Sequence, residues 1–185
     1  MKKIQSKKVQ YSKNSLVSES FRNPLTLDEK IEYAYQVWDQ LQKTYKSIGG
    51  YKSHPTIKDL INDSTIWKLS IKNEEVKALV IYKGEPRGLR KAVGVATDST
   101  RYGITKLHDI FREDFTKRNV FIESSLKLKS WLERNFPEFK VKASDAHEYL
   151  KGKKIEIVSE YEYARLIGNE LMVKTIFASK SNTQS

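Results

Sequence analysis

Between residues 27 and 48 the apolar positions recur at every third or fourth residue. Ile31, Ala34, Trp38, Leu41, Tyr45 and Ile48 fall on one stripe, and that spacing predicts an amphipathic helix. Thr26-Leu27-Asp28-Glu29 reads as a capping box at its start, because the threonine oxygen and the Glu29 carboxylate can each satisfy the other's backbone donor. Gly49-Gly50 ends it. A short second helix is expected after Ser53-His54-Pro55, with Ile57, Leu60 and Ile61 turned inward.

The period then drops to two. IWKLSI (66–71) and VKALVIY (76–82) read as strands joined by the polar turn 72–75. GEPRG, punctuated by Pro86 and Gly88, is a second turn, and LRKAVGVAT (89–97) is a third strand, which completes an antiparallel meander. Residues 100–116 return to helical spacing, with Ile104, Leu107, Phe111 and Phe115 on one face. NVFIE (119–123) is a short strand, and 124–136 is a helix with Leu128, Trp131 and Leu132 inward. Beyond it, FKVKA and KKIEIVSE read as strands around the helical turn SDAHEYLKG. YEYARLI and ELMVKTIFA form a closing hairpin about Gly168-Asn169. Strand–helix–strand–helix in the middle implies one parallel pairing inside an otherwise antiparallel α/β sheet. A site is expected where such a sheet splits or reverses.

Composition narrows the chemistry. The 185 residues suit one domain, expected over 26–178, with a basic, partly flexible extension at 1–25 and a disordered tail at 179–185. VQY and SLVSE in the extension have the pattern of short strands. No apolar run approaches membrane-spanning length and the N-terminus lacks the apolar core of a secretory signal. The absence of cysteine excludes disulfides, thiolate catalysis and zinc–thiolate sites, and fits a cytoplasmic protein. His54, His108 and His147 show no metal-ligand spacing. The net charge of +11 points to a polyanionic partner, either nucleic acid or a phosphorylated cofactor, yet the lysines are spread along the chain instead of being gathered on one element. The basic turn KGEPRGLRK (83–91) reads either as a contact to phosphate, nucleic acid or an acidic partner, or as a solvated turn.

The stretch DSTRYGITKL (98–107) carries the most specific candidate chemistry. A turn feeding a helix N-terminus aims several backbone N–H groups one way, which suits a pyrophosphate, and Gly103 permits close approach. Arg101 and Lys106 would add charge; the competing reading is an ordinary N-cap at Ser99 or Thr100.

The element order resembles the GNAT superfamily of acyl-CoA-dependent acyltransferases over residues 26–178. Three local patterns agree. Thr100-Arg101-Tyr102-Gly103-Ile104-Thr105 sits where that family carries Q/R-x-x-G-x-G/A, with Thr105 at the place of the last glycine or alanine. Trp131-Leu132-Glu133-Arg134-Asn135-Phe136 takes the register of its Y-E-K-L-G-F, and Leu171-Met172-Val173-Lys174 that of its final strand. The chain is also similar to GNAT-like proteins encoded by large bacteriophages. The resemblance implies acetyl-CoA or another acyl-CoA as cofactor and an amine acceptor. It implies a cofactor surface of Val95, Ala96, Thr97, Thr100, Arg101, Tyr102, Gly103, Ile104 and Thr105, with an oxyanion donor from the backbone of 95–97. Trp131 replaces the family's acidic tyrosine, and the fourth strand lacks its glutamate. Asp98 and Glu123, at the ends of adjacent strands, are the candidate bases acting through water, and Tyr161 and Tyr163 further candidate acids. The alternative is a catalytically inactive GNAT-fold protein that binds nucleic acid or a protein partner through its basic surface.

Overall fold

The structure, a computed structural model, describes residues 16–17, 25–84, 90–141, 165–167 and 170–178. The elements are β1 (Leu16–Val17), α1 (Leu27–Thr44), α2 (Ile57–Asn62), β2 (Ile66–Lys72), β3 (Glu75–Gly84), β4 (Arg90–Thr97), α3 (Arg101–Lys117), β5 (Val120–Ser125), α4 (Leu126–Asn135), β6 (Arg165–Ile167) and β7 (Glu170–Phe177). Both first helices begin on capping boxes, Thr26 with Glu29 and Thr56 with Asp59. The expected segments at 144–160, and residues 161–164 and 168–169 of the hairpin, lie outside the described residues, as does most of 1–25; of FKVKA, Lys140 forms a single bridge to Phe177.

Among the described residues, seven strands form one sheet in the order β1-β2-β3-β4-β5-β7-β6. Every pairing is antiparallel except β4 with β5. The β2–β3 turn holds Asn73 and Glu74 at φ 53° and 63°, the two left-handed residues of a two-residue hairpin. One face of the sheet buries Val37, Leu41, Leu60 and Trp67 beneath α1 and α2. The other buries Leu107, Phe111, Phe115, Leu132 and Phe136 beneath α3 and α4.

Two helices are rotated from their expected faces. In α1, Ile31 is exposed, and Lys30, Ala34, Val37 and Leu41 turn inward. Lys30 is tolerated there because its ammonium lies over the Trp67 ring and donates to the carbonyls of Asp63 and Thr65, at 3.0 and 2.7 Å. In α3, Ile104 is exposed, and Ile110 and Asp114 are buried beside Leu107, Phe111 and Phe115.

Asp114 anchors a buried ionic cluster between α3 and the sheet. Lys68 Nζ lies 2.7 Å from Oδ1, the Arg118 guanidinium 2.9 Å from the same oxygen, and the Tyr82 hydroxyl donates to Oδ2 at 2.6 Å. Arg90, part of the basic stretch read as either a contact to an anionic partner or a solvated turn, is instead almost fully buried, with its guanidinium 3.8 Å from Asp114 and over the Tyr82 ring.

Candidate active site

The site originates in one irregularity of β4. Ile81 of β3 pairs with Gly94 and its neighbour Tyr82 pairs with Ala92, so Val93 is an extra residue, a β-bulge. The alternation of faces breaks there: Ala92 and Val95 pack toward α3, while Val93 and Ala96 pack toward α1. The parallel pairing of β4 with β5 stops at the same place. It comprises Arg90 with Val120, Lys91 with Phe121 and Ala92 with Ile122, and no more. Beyond it β5 continues alongside β7, pairing Glu123 with Lys174, and β4 bends away. The two strands open into a wedge.

The α1–α2 connection closes one side of this wedge. Tyr45 accepts the Val95 amide at 3.3 Å, and the Ser53 hydroxyl donates to the Val93 carbonyl at 3.3 Å. Tyr51 packs over Gly94; a Cβ there would begin 3.1 Å from the Tyr51 hydroxyl and from Leu41, tighter than ordinary contact, so glycine lets the phenol lie close without either neighbour shifting. What remains open is a cavity of about 360 Å³ whose walls include Tyr51, Lys52, Lys91, Val93, Glu123 and Met172. Burial pushes the Tyr45 phenol up to about 12 and holds that of Tyr51 still higher, so both are neutral at physiological pH.

Of the backbone at 95–97 expected to supply an oxyanion donor, the Val95 amide donates to the Tyr45 hydroxyl in this structure. Val95 and Ala96 are buried, and Thr97 accepts the Ser99 amide. The 98–107 stretch is a tightly capped helix start. Ser99 takes φ 65°, Thr100 is the N-cap and accepts from the Gly103 amide at 3.0 Å, and Asp98 accepts from the Thr100 amide and hydroxyl. Lys77 pairs with Asp98 at 3.3 Å. Thr105, at the place of a small residue, turns its hydroxyl back to the Arg101 carbonyl at 3.0 Å. These caps do not consume the amides of Arg101 and Tyr102. Around the Tyr102 ring stand Lys72 and Lys106, at 4.3 and 5.4 Å.

The two candidate bases thus part company. Asp98 serves the cap of α3. Glu123 lines the cavity, with Lys174 at 3.8 Å. Trp131 packs against the α3 core and against His108, whose ring stacks on Phe136 at 4.7 Å. Tyr161 and Tyr163 lie outside the described residues. The sequence pattern gives His54 no metal-ligand spacing and no other role; in the structure it is buried and bridges Tyr51 and Asp63. The signal available was its place beside Pro55 at the start of α2, which says nothing of Asp63 at the other end.

Two carboxylates, Asp63 and Asp98, make stability depend on pH. The hydrogen bond from His54 is the main reason the Asp63 carboxyl lies below its ordinary value of 3.8. For Asp98, partial burial opposes the charge, but the Thr100 and Lys77 donors outweigh it and the carboxyl is again held below 3.8. A depressed folded pKa means that the unfolded chain binds more protons as the pH drops. The stabilisation is complete above the ordinary value and is lost as pH falls through the folded values. The urea midpoint is expected to hold from neutrality to about pH 5 and to fall below about pH 4, and Asp98→Asn should flatten that fall.

Among solved structures the chain is similar to an aminoglycoside 6'-acetyltransferase type Ii, with a TM-score of 0.50 and 10% identity over 88% of this chain and 96% of that one. The fold is that of the GNAT acyltransferases. An acetyltransferase from Thermus thermophilus gives a TM-score of 0.49 and 11% identity over 88% of this chain and 96% of that one. An acyl-CoA N-acyltransferase from Pseudomonas aeruginosa gives 0.48 and 14% over 83% and 93%. No protein-family model and no curated protein matches the sequence. Among the described residues, no helix is long and apolar enough to cross a membrane.

Proposed function

We propose that the protein is an acyl-CoA-dependent N-acyltransferase. The observation that carries the reading is the wedge itself: a bulge at Val93 that parts β4 from β5 and leaves a cavity with an acid, Glu123, on its wall. A scaffold that only displayed a surface has no need to keep its sheet open at the centre. The fit to acyl-CoA differs along its length. The cavity suits the thioester end. At the phosphate end, the Arg101 and Tyr102 amides, the Arg101 guanidinium and the lysines about Tyr102 supply donors and charge. Gly103 does not form a cradle for phosphate, since the space beside it is already filled by Asp98 and the Lys77 carbonyl. When bound, the thioester supplies an activated acyl carbon. Glu123 supplies the negative charge that draws a protonated amine into the cavity, and the surrounding walls hold it in position.

Calorimetry with acetyl-CoA tests the reading. Binding in the micromolar range is expected, and none at millimolar ligand sinks it. Arg101→Glu sharpens the result. An acid in the first turn of α3 suits the helix dipole, so stability should hold, while CoA affinity falls about tenfold or more.

A further inference from the structure

We propose that Tyr51, His54 and Asp63 form a proton relay serving the cavity from the α1–α2 side, with Tyr51 as the catalytic residue and His54 and Asp63 as its positioning residues; the inference rests on the acyltransferase reading above. The three groups form one continuous line. The Tyr51 hydroxyl is 3.2 Å from His54 Nδ1, and His54 Nε2 is 2.6 Å from Asp63 Oδ2. The rings of Tyr51 and His54 stack with centroids 5.8 Å apart. The inner end, Tyr51, is on the cavity wall against the bulge of β4. The middle, His54, is buried. The outer end, Asp63, is partly exposed and has Lys83 at 3.5 Å.

The backbone holds this line at both ends. Asp63 caps the C-terminus of α2, its amide donating to Asp59 and its carbonyl accepting from Lys30. Tyr51 is fixed by its backbone N–H, which donates to the Gln42 side-chain oxygen at 3.2 Å. A carboxylate on Nε2 selects the tautomer in which Nε2 carries the proton, and this leaves Nδ1 as an acceptor aimed at the phenol. Burial keeps the phenol protonated, so it has a proton to give. The arrangement is that of a hydroxyl activated by an imidazole that a carboxylate orients. It stands on the face opposite α4, where Trp131 leaves no acid.

The chemistry balances. An amine arriving as an ammonium ion has to lose a proton before its nitrogen can attack. The Tyr51 oxygen takes that proton as its own passes to His54 Nδ1, and Asp63 stabilises the imidazolium. The neutral nitrogen then bonds to the acyl carbon while the carbon–sulfur bond breaks. The proton stored on His54 returns through Tyr51 to the thiolate, and the second nitrogen proton leaves to solvent. The products are amide, thiol and one proton, and the relay is restored.

Two measurements test this. Nitrogen-15 NMR of the histidine rings in the wild-type protein, without ligand, is expected to show His54 protonated at Nε2 and unprotonated at Nδ1. The opposite tautomer overturns the relay. Acetyl transfer from acetyl-CoA is then compared for two nucleophiles: butylamine, which is protonated at neutral pH, and hydroxylamine, which is not. Tyr51→Phe and His54→Gln are expected to slow butylamine acetylation about 100-fold, the lower range of general acid–base effects, with hydroxylamine changed only a few-fold and acetyl-CoA affinity retained. Equal losses with both nucleophiles, as from a merely structural role, or no loss with either, would falsify it. If the wild type fails to bind acetyl-CoA, the acyltransferase reading falls by itself, and the tautomer still decides whether the relay exists.

Discussion

Replacing Asp114 by alanine is expected to lower the unfolding free energy by about 3–5 kcal/mol. The carboxylate is fully buried and is the shared partner of Lys68, Arg118 and the Tyr82 hydroxyl, with Arg90 close by. Removing it leaves cations crowded beneath α3 with Glu113, 3.7 Å from Lys68, as the nearest remaining acid. The magnitude follows from the asymmetry of buried pairs: a complete one contributes little over an apolar substitute, whereas half of one is costly. Lys68→Met should therefore cost clearly less, because Asp114 keeps Tyr82 and Arg118 and the thioether fills the vacated volume. Urea unfolding of the two variants measures the difference, and equal losses would show that the cluster contributes only as packing.

Gly103→Ala is the second large effect. Alanine is about 1 kcal/mol better than glycine inside a helix, so propensity alone favours the change. Sterics oppose it and win. The new methyl would come within 2.5 Å of the Lys77 carbonyl oxygen, and closer still to Asp98 Oδ1. The carbonyl belongs to β3 and cannot swing aside, so the start of α3 has to move. A net loss of about 1–3 kcal/mol is expected, together with weaker acetyl-CoA binding, since the displaced turn carries the Arg101 and Tyr102 amides. Removing Asp98 in the same chain should not restore stability, because the Lys77 carbonyl remains; full recovery in Gly103→Ala/Asp98→Ala would place the obstruction in the carboxylate alone.

These two sites also show where sequence reasoning reaches and where it stops. Local signals survive intact. Thr26 and Glu29 are three residues apart and form the box they spell. The period-two runs became β2, β3 and β4, and the strand–helix–strand order gave the parallel β4–β5 pair. Amphipathic faces are less legible, because a stripe that includes Ile31 or Ile104 is more apolar than one that includes Lys30 or Asp114. Only the partners of those charged residues, far off in sequence, make their burial affordable. The site suffers for the same reason. Gly103 reads in the sequence as room for a phosphate, whereas the space beside it is taken by Lys77 and Asp98. Val93 becomes a bulge through its pairing with β3, and no residue type announces it. Tyr51, His54 and Asp63 are twelve residues apart at most, yet no periodic pattern links them; the short α2 turns the chain so that its two ends meet.

The pairing of β5 with β7 has a consequence for how the protein is made. Val120 lies opposite Phe177 and Ser125 opposite Met172, so the far wall of the cavity joins segments about fifty residues apart in the chain. Loops of that length close slowly compared with helices and hairpins. The meander β2–β3–β4 and the capped α1 and α2 can form while the rest is still being synthesised. Until β7 emerges, β5 presents an apolar strand, VFI, with one side unpaired, the kind of edge that recruits other chains. The last described strand thus both lines the cavity, through Met172, and covers the open edge of β5.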